Sequence, residues 1–348
     1  MKIINSIKSF LPHKRQDQRH YGKFIGSFDF LRLLSWNISH PRRLFNRLKW
    51  KTLFSNSKLK IKKYNQHLNS KNLDNKLSGK LVNFLEDGGL IVNNYFEEKK
   101  IDNFLNEYKN LIDKEKNDIK EISSNQATVY KRINLYLSDA LFDLWLDNSI
   151  IDFIEHSLGN KIYAREYPTL VYTKYLLDEN LNSQDEYNQK YKGQNIQGPY
   201  FWHVDHTAGL VNLHILLENI DKNCTHMQFL RKSNKYSNTR DLYSDETVKH
   251  SGNDVVDCIG KKGSIYFHNG NTLHRVVGKK NSSRLGLIFS FSTGSNVEFN
   301  CENIFNGYSS NYDVQKMEKR KRNILKGLFP LEGVNDLKGE NLIKGTGQ

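Results

Sequence analysis

The 348-residue chain is 37% apolar and 12% aromatic, which suffices for a sizeable core and excludes a wholly disordered protein. Its net charge of +14 is concentrated at one end: residues 1–80 contain 19 Lys and Arg against 3 acidic residues, whereas the remainder contains 33 basic and 35 acidic ones. The basic balance therefore does not indicate that the whole protein binds nucleic acid. Three scattered cysteines exclude a disulfide framework and favour a reducing compartment.

The first 79 residues alternate basic clusters with single aromatic residues. Between Arg42 and Phe54, five cations are interleaved with six apolar residues. This pattern suits an amphipathic helix on an anionic membrane surface or polyanion, but a basic helix packed on the outside of the barrel is the commoner case. MKIINSIKSFLPHKR lacks the apolar core of a secretory signal, and no apolar run approaches the roughly 18 residues of a membrane span. We expect a cytoplasmic protein, and membrane-peripheral attachment through residues 1–79 stays open.

A second composition begins near Ser78. LVNFLEDGGLIVNNYF predicts a helix, a turn at Gly88-Gly89 and a short strand. Apolar residues at helical spacing then predict one helix over residues 97–120 and another helical stretch over residues 141–158. Gly159 is a typical helix stop.

After Gly159 the pattern changes to short segments rich in β-branched and aromatic residues. Eight segments predict strands: KIYAREYPTLVYTKYLL, PYFWHVD, GLVNLHILLENI, THMQFLRK, DVVDCI, GSIYFHN, TLHRVVG and RLGLIFSFSTG. Strands without intervening helices indicate an antiparallel sandwich or barrel. We expect an α+β fold with a mainly-β core, a double-stranded β-helix (jelly-roll or cupin-like barrel) with flanking N-terminal helices, over residues 80–310. Residues 1–79 would form a partly helical basic arm, and residues 311–348 a basic helix and tail.

Seven of the twelve histidines fall between positions 203 and 274, in the strand-rich region. In FWHVDH, His203 and Asp205 are two positions apart, so an extended chain directs both to one face and His206 to the other. An imidazole and a carboxylate are two of the three ligands in the facial triad that suits iron(II). The alternative for a lone HxD triplet is a surface turn.

His274 is the best candidate for the third ligand. It follows a Gly-led apolar strand and the turn at residues 269–271, so a hairpin would return it to the pocket. His268 is the competitor, to which we assign a structural or pocket-rim position. Three further histidines are expected outside the ligand set, two on barrel strands in packing or supporting roles and one in a solvated polar loop: His214, His226 and His250.

Arg284 lies ten residues beyond His274 and opens RLGLIFSFS. Its planar guanidinium could bind the distal carboxylate of a cosubstrate whose other end chelates iron, or it could simply face water at the start of a strand. Tyr167, Tyr172 and Tyr175 lie on a strand expected to face the pocket. We take Tyr172 as the candidate for a cosubstrate hydrogen bond, with barrel packing as the alternative for any one of the three.

In this order and spacing, the motifs resemble the phytanoyl-CoA dioxygenase family of iron(II)/2-oxoglutarate oxygenases. WHVD, KKGSIYFHNGNTLHRVVG, the arginine after it and FLEDGGLIVNNYFEEKKIDNFL carry the resemblance, which covers roughly residues 80–300. Carried over residue by residue, it implies His203, Asp205 and His274 as iron ligands and Arg284 as the anchor of 2-oxoglutarate. Dioxygen is the implied second cosubstrate.

The resemblance also implies a reaction type. Asp205 is present where related halogenating enzymes carry a small residue, so hydroxylation of a small organic substrate is expected. The polar insertion LDENLNSQDEYNQKYKGQNIQG has the length of a lid or substrate loop and favours a hydrophilic substrate. The chain departs from the family at residues 231–234, where Arg-Lys-Ser-Asn replaces the usual Pro-Gly-Ser-His, so the substrate is not inferred by analogy.

Three other interpretations stay open. A nucleic-acid dealkylase of the same broad fold would usually carry a second arginine at the position of Ser290, so nucleic-acid binding is not expected. A non-catalytic β-barrel could be docked to an anionic surface or polyanion through residues 1–79, although the intact ligand set argues against it. A 2-oxoglutarate-independent metal cupin would have no use for Arg284. The oligomeric state is not predicted.

Overall fold

The computed structural model describes residues 76–118, 128–165, 168–175, 202–205, 209–235, 242–243, 245–279, 281–293 and 317–325. Nearly all of the predicted basic arm and the whole polar insertion before the first ligand strand lie outside these ranges, as do His206 and Tyr167.

The first part of the described chain is mainly helical. Its elements are α1 (Leu81–Asp87), β1 (Gly89–Val92), α2 (Glu98–Glu107), α3 (Lys109–Asp118), β2 (Thr128–Asn134), α4 (Asp139–Trp145) and α5 (Asn148–Leu158). The predicted turn between α1 and β1 is confirmed: Gly88 ends α1 with a left-handed φ of 78°. Gly159 ends α5 in the same way, as expected. None of the described helices is long and apolar enough to cross a membrane.

Two predicted helices are each divided in two. The stretch 97–120 breaks at Tyr108, which departs from helical geometry between α2 and α3. The stretch 141–158 breaks before Asp147, whose carboxylate accepts hydrogen bonds from the first backbone N–H groups of α5. Ser138 caps α4 in the same manner. These side chains accept hydrogen bonds from backbone N–H groups that have no partner at the start of a helix. Two helices therefore form where the apolar periodicity by itself predicts one.

Strands dominate after α5. They are β3 (Tyr163–Ala164), β4 (Thr169–Tyr175), β5 (Trp202–His203), β6 (Leu210–Leu216), β7 (His226–Leu230), β8 (Leu242–Tyr243), β9 (Val255–Cys258), β10 (Ile265–Asn269), β11 (His274–Val277) and β12 (Ser283–Ser292). A 3₁₀ turn (Ser233–Lys235), α6 (Asp245–His250) and α7 (Lys319–Leu325) complete the described elements. Every predicted strand segment contains at least one of these strands.

Three elements were not expected from the pattern. Among the described strands, β2 lies at the edge of the larger sheet and pairs with β4, and β8 pairs with β5 in the smaller sheet. The helix α6 interrupts the predicted run of strands, and it ends at the exposed His250, for which the pattern predicts a loop. It packs through Val248 into a small apolar cluster with Trp202 and Leu273. Six residues are too few for a visible helical period, so this helix depends on tertiary packing.

The described strands form two antiparallel sheets. The larger has the order β1-β10-β6-β12-β4-β2, with β3 also paired to β12, and the smaller has the order β8-β5-β11-β7-β9. The expected α+β fold with a double-stranded β-helix core is therefore confirmed.

Side chains of the larger sheet alternate between two environments. Along β6, Val211, Leu213 and Ile215 belong to the main core, which the helices cover. Asn212 and His214 lie on the opposite face, toward the smaller sheet, because successive strand residues point to opposite faces. The larger sheet thus presents an apolar face to the helices and polar groups to the barrel interior.

Candidate metal centre

The three predicted ligands meet at one place in the barrel. Strands β5 and β11 pair so that His274 lies directly opposite His203, with ring centroids 4.2 Å apart. Asp205 follows His203 by two positions, and its Oδ1 is 3.9 Å from Nε2 of His274. One ligand atom from each residue lies within 4.8 Å of the other two, the one such group of His, Cys, Asp or Glu among the described residues. We call His203, Asp205 and His274 the triad.

A backbone carbonyl sets the tautomer of His274. Its Nδ1 is 2.9 Å from the carbonyl oxygen of Thr272. Because a carbonyl only accepts, Nδ1 carries the proton and Nε2 presents its lone pair toward Asp205. Burial, together with the neighbouring His268, lowers the pKa of His274 to about 4. At neutral pH this side chain is therefore the neutral imidazole that a metal requires.

Thr272 is held firmly in its turn. Its hydroxyl donates to the carbonyl oxygen of Gly88 at 2.7 Å. A Cβ at Gly88 would lie 2.4 Å from that same hydroxyl oxygen, so only glycine permits this approach. The turn between α1 and β1 thereby supports the carbonyl that orients His274.

Asp205 is oriented by a two-step hydrogen-bond chain. The amide Nδ2 of Asn212 donates to Oδ2 of Asp205 at 2.8 Å, and the hydroxyl of Ser290 donates to Oδ1 of Asn212 at 2.6 Å. Burial acts to raise the pKa of Asp205, but the imidazoles of His274, His268 and His203 favour its charged form, and the net effect is a lowered pKa. The triad therefore combines an anionic oxygen donor with imidazole nitrogens.

His268 lies inside the barrel, which fits the structural position of the two positions expected for it and not the pocket rim. It is 2% exposed, and its ring centroid is 4.1 Å from that of His274. Its Nε2 is 3.1 Å from Nε2 of His214, which stacks on the ring of Tyr266 at 4.3 Å. Burial lowers the pKa of both His214 and His268. The reason for the inward position is register, because His268 pairs with Asn212 on the polar face of the sheet.

Arg284 lies on the same interior face and is almost fully buried. Its side chain is 5% exposed, and Nη1 donates to the hydroxyl of Tyr266 at 3.2 Å. No carboxylate of a described residue lies within ion-pair distance of it. A buried guanidinium without a counter-ion is costly, so the arrangement favours an anionic ligand at this place.

A polar side chain that the sequence did not single out completes this end of the pocket. Thr173 lies opposite Arg284 in the β4–β12 pairing, is fully buried, and its Oγ1 has no hydrogen-bond partner among the described residues. Gly286, two positions beyond Arg284, leaves open space on this face, since among the described residues an added Cβ would meet only a carbonyl oxygen at 3.7 Å. Thr173 carries no motif of its own, and only the strand register identifies it.

Tyr172 is not brought to this pocket. It pairs with Leu285, so its side chain is on the opposite face from that of Arg284, and it packs against the main core. Thr173, and not Tyr172, is the residue of β4 that lies beside Arg284. His226 also lies apart from the triad, on the outer face of the smaller sheet, with Nε2 3.2 Å from Asp257.

Side chains next to the ligand positions tie the two ligand strands together. Trp202 precedes His203, and its Nε1 donates to Asp245 at 2.9 Å. Arg275 follows His274, and its guanidinium lies 4.5 Å over the Trp202 ring while also contacting Asp245. The cation–π contact and the shared carboxylate thus join β5 to β11 at the ligand positions.

The donor set fits a divalent transition metal. Two imidazoles and one carboxylate form the facial triad of non-haem iron(II) sites. Metal–ligand bonds of about 2.1 Å put two ligands of one ion no more than about 4.2 Å apart, so small side-chain movements would complete coordination from the present spacing.

Comparison with known proteins then assigns the family. The model of the phytanoyl-CoA dioxygenase (PhyH) family matches residues 84–284, more than half of the chain. The chain belongs to this family. No curated protein matches it significantly by sequence.

Family membership confirms the resemblance drawn from the motifs. The protein is an oxygenase of the PhyH family. The family match and the triad together confirm the predicted cofactor set of iron(II), 2-oxoglutarate and dioxygen.

Solved structures similar to this PhyH-family chain include three enzymes of low sequence identity. The epimerase SnoN, in complex with Fe3+, alpha ketoglutarate and nogalamycin RO, is 16% identical with a TM-score of 0.45, and the match covers 63% of this chain and 84% of that one. EctD from S. alaskensis is 13% identical with a TM-score of 0.43, over 63% and 78% of the two chains. AviO1 from Streptomyces viridochromogenes Tue57 is 13% identical with a TM-score of 0.41, over 63% and 95%.

Proposed function

We propose that this protein is an iron(II)- and 2-oxoglutarate-dependent dioxygenase that hydroxylates a small, polar organic substrate. The observation that carries the proposal is the buried Arg284, which lacks a carboxylate partner among the described residues and shares the barrel interior with the triad. This combination suits a ligand with a carboxylate at one end and a chelating group at the other.

His203, Asp205 and His274 would hold the iron. The neutral His274 and the charged Asp205 are already in the protonation states that coordination requires. When bound, iron supplies the activation of dioxygen, with conversion of 2-oxoglutarate to succinate and carbon dioxide and transfer of one oxygen atom to the substrate.

Arg284 would bind the distal carboxylate of 2-oxoglutarate. Tyr266, already in contact with Nη1 of Arg284, and the unpartnered hydroxyl of Thr173 are placed to donate further hydrogen bonds. Donors that converge on one carboxylate from separate strands orient it as well as neutralise it, so the keto-acid end would be directed to the triad.

Hydroxylation is the reaction that the ligand set favours. Asp205 would fill a coordination position with its carboxylate, so that position would not be open for a halide. The polar insertion before β5 supports a hydrophilic substrate, and it lies outside the described residues.

Anaerobic titration tests the proposal. Wild-type protein should bind iron(II) and, on addition of 2-oxoglutarate, develop the visible charge-transfer band of the chelate. Arg284→Leu should keep its iron(II) affinity but need much more 2-oxoglutarate, and succinate formation should fall with it. The matched control is Arg231→Leu, which changes a half-exposed arginine that only approaches Asp87 at 3.7 Å. Absence of the band in wild type, or an unaltered 2-oxoglutarate titration in Arg284→Leu, would refute the assignment.

The chain outside the oxygenase domain, assigned to residues 80–310, also has a proposed role. Residues 1–79 would act as a basic arm for an anionic membrane surface or polyanion, and residues 311–348 as a basic helix and tail. Sedimentation of the full chain with vesicles of phosphatidylcholine alone or mixed with phosphatidylserine would test the arm. Binding that is equal for both vesicles, or absent from both, would exclude an anionic membrane as its target.

A further inference from the structure

We propose that Asn212 and Ser290 are positioning residues that hold Asp205 as a ligand through one oxygen only. The inference rests on the proposed function, because it concerns how the triad would present its carboxylate to iron.

The hydrogen-bond chain has one allowed direction. An ionised carboxylate only accepts, so Asn212 must turn Nδ2 toward Oδ2 of Asp205, where the distance is 2.8 Å. Its Oδ1 then faces the hydroxyl of Ser290 at 2.6 Å, and that hydroxyl must donate. Asp205 therefore sets the orientation of the Asn212 amide, and Ser290 satisfies the amide oxygen in that orientation.

Strand pairing builds this chain into the larger sheet. Asn212 and Ser290 lie opposite each other in the β6–β12 register, and they are 8% and 6% exposed. Asp205, in contrast, lies two residues beyond the end of β5. Its backbone is therefore outside the ladder that positions His203 and His274, and the Asn212 amide ties its carboxylate to the opposite sheet.

The tether engages only one of the two carboxylate oxygens. Oδ2 receives the Asn212 amide, whereas Oδ1 is the oxygen recorded 3.9 Å from Nε2 of His274. With Oδ2 held by a donor, Asp205 would offer Oδ1 to iron. A carboxylate bound through both oxygens would take up a further coordination position, which the 2-oxo acid or dioxygen could otherwise use.

Substitution of the two positioning residues tests this role. Asn212→Leu removes the donor and keeps the branched shape of the side chain, and we expect iron(II) affinity to fall about 10- to 100-fold. Ser290→Ala leaves the buried amide oxygen of Asn212 without its donor, for which a single lost hydrogen bond predicts a loss of about 3- to 10-fold. Ser290→Thr retains the hydroxyl and should restore wild-type affinity. Ser157→Ala is the matched control, since that buried hydroxyl donates only to a backbone carbonyl within α5.

The chelate spectrum separates positioning from a merely structural effect. Iron(II) affinity is measured anaerobically by competition with a chelator, and each protein is then saturated with iron(II) and titrated with 2-oxoglutarate. In Asn212→Leu the released Oδ2 should compete for a position that the 2-oxo acid needs, so the charge-transfer band should weaken or shift even at full iron loading. A structural role alone would lower thermal stability and leave the band of the loaded protein unchanged.

The outcomes distinguish this inference from the proposed function. If wild type binds both iron(II) and 2-oxoglutarate while folded Asn212→Leu matches it in affinity and spectrum, the positioning role is overturned and the proposed function stands. If Asn212→Leu does not fold, the Ser290 pair decides, and equal affinities for Ser290→Ala and Ser290→Thr overturn the role. If wild type binds no iron(II), both the positioning role and the proposed function are refuted.

Discussion

Gly286→Ala should raise the stability of the fold and lower the affinity for the cosubstrate. Gly286 lies on β12 between Arg284 and Ser290, in phase with both, and pairs with Leu216 of β6 on the interior face. Among the described residues, an added Cβ would meet only the carbonyl oxygen of Ile215, at the ordinary contact distance of 3.7 Å. The methyl group would therefore project into the pocket and not into the packed protein.

The two expected effects have opposite signs. Because the φ of Gly286 is not in the left-handed region, alanine costs no backbone strain and restricts the unfolded chain, which should raise the free energy of unfolding by about 0.4–1 kcal/mol. A methyl forced against a bound cosubstrate behaves as overpacking, which costs about 1–3 kcal/mol. That cost corresponds to a rise in the 2-oxoglutarate dissociation constant of between about fivefold and about a hundredfold.

Urea denaturation of the metal-free protein and anaerobic 2-oxoglutarate titration of the iron-loaded protein measure the two quantities separately. The control is Gly263→Ala, where φ is +85° and the added Cβ would lie 2.3 Å from the carbonyl oxygen of Phe96. That variant should lose at least about 1–3 kcal/mol of stability through strain. If Gly286→Ala binds 2-oxoglutarate with wild-type affinity, Gly286 does not face the cosubstrate pocket. If the variant is clearly less stable than wild type, there is no room for a methyl group at this position.

Three further predictions concern stability. Burial raises the pKa of the Tyr108 hydroxyl, which donates to the carbonyl oxygen of Tyr136; the unfolded phenol ionises near pH 10, so its contribution is complete below that pH and is lost as the pH rises above it. Tyr108→Phe should lower the free energy of unfolding by about 1 kcal/mol at pH 7 and reduce its further fall at alkaline pH. Urea unfolding at pH 7 and pH 11 measures that fall, and an equal fall in both proteins would contradict the prediction. Arg320→Ala should destabilise the protein by about 1–2 kcal/mol, because α7 loses its tie to α5 and Asp152 is left buried without this partner; an unchanged denaturation midpoint would exclude that tie. Iron(II) at a hundred times its dissociation constant should add about 2.7 kcal/mol to the free energy of unfolding, and a chelator should reverse the resulting shift in melting temperature; a shift that survives chelation would point to another cause.

Local sequence patterns determined the parts of this protein that depend on neighbouring residues. The spacing of two between His203 and Asp205 places both side chains on one face of an extended chain, whatever lies around them. The alternation Val211-Asn212-Leu213-His214 likewise separates an apolar face from a polar one before any partner strand is known. Strand composition, glycine stops and motif order were therefore sufficient for the fold class and the family.

Tertiary structure alone decided which distant residues meet. His268 and His274 are both plausible from their sequence, and pairing of β11 with β5 places His274 opposite His203. Register of β4 on β12 likewise places Thr173, and not Tyr172, beside Arg284. The physical reason is that a one-residue change in register reverses every side chain between core and pocket. Register between strands far apart in sequence is set by packing of the whole barrel, which no local pattern encodes.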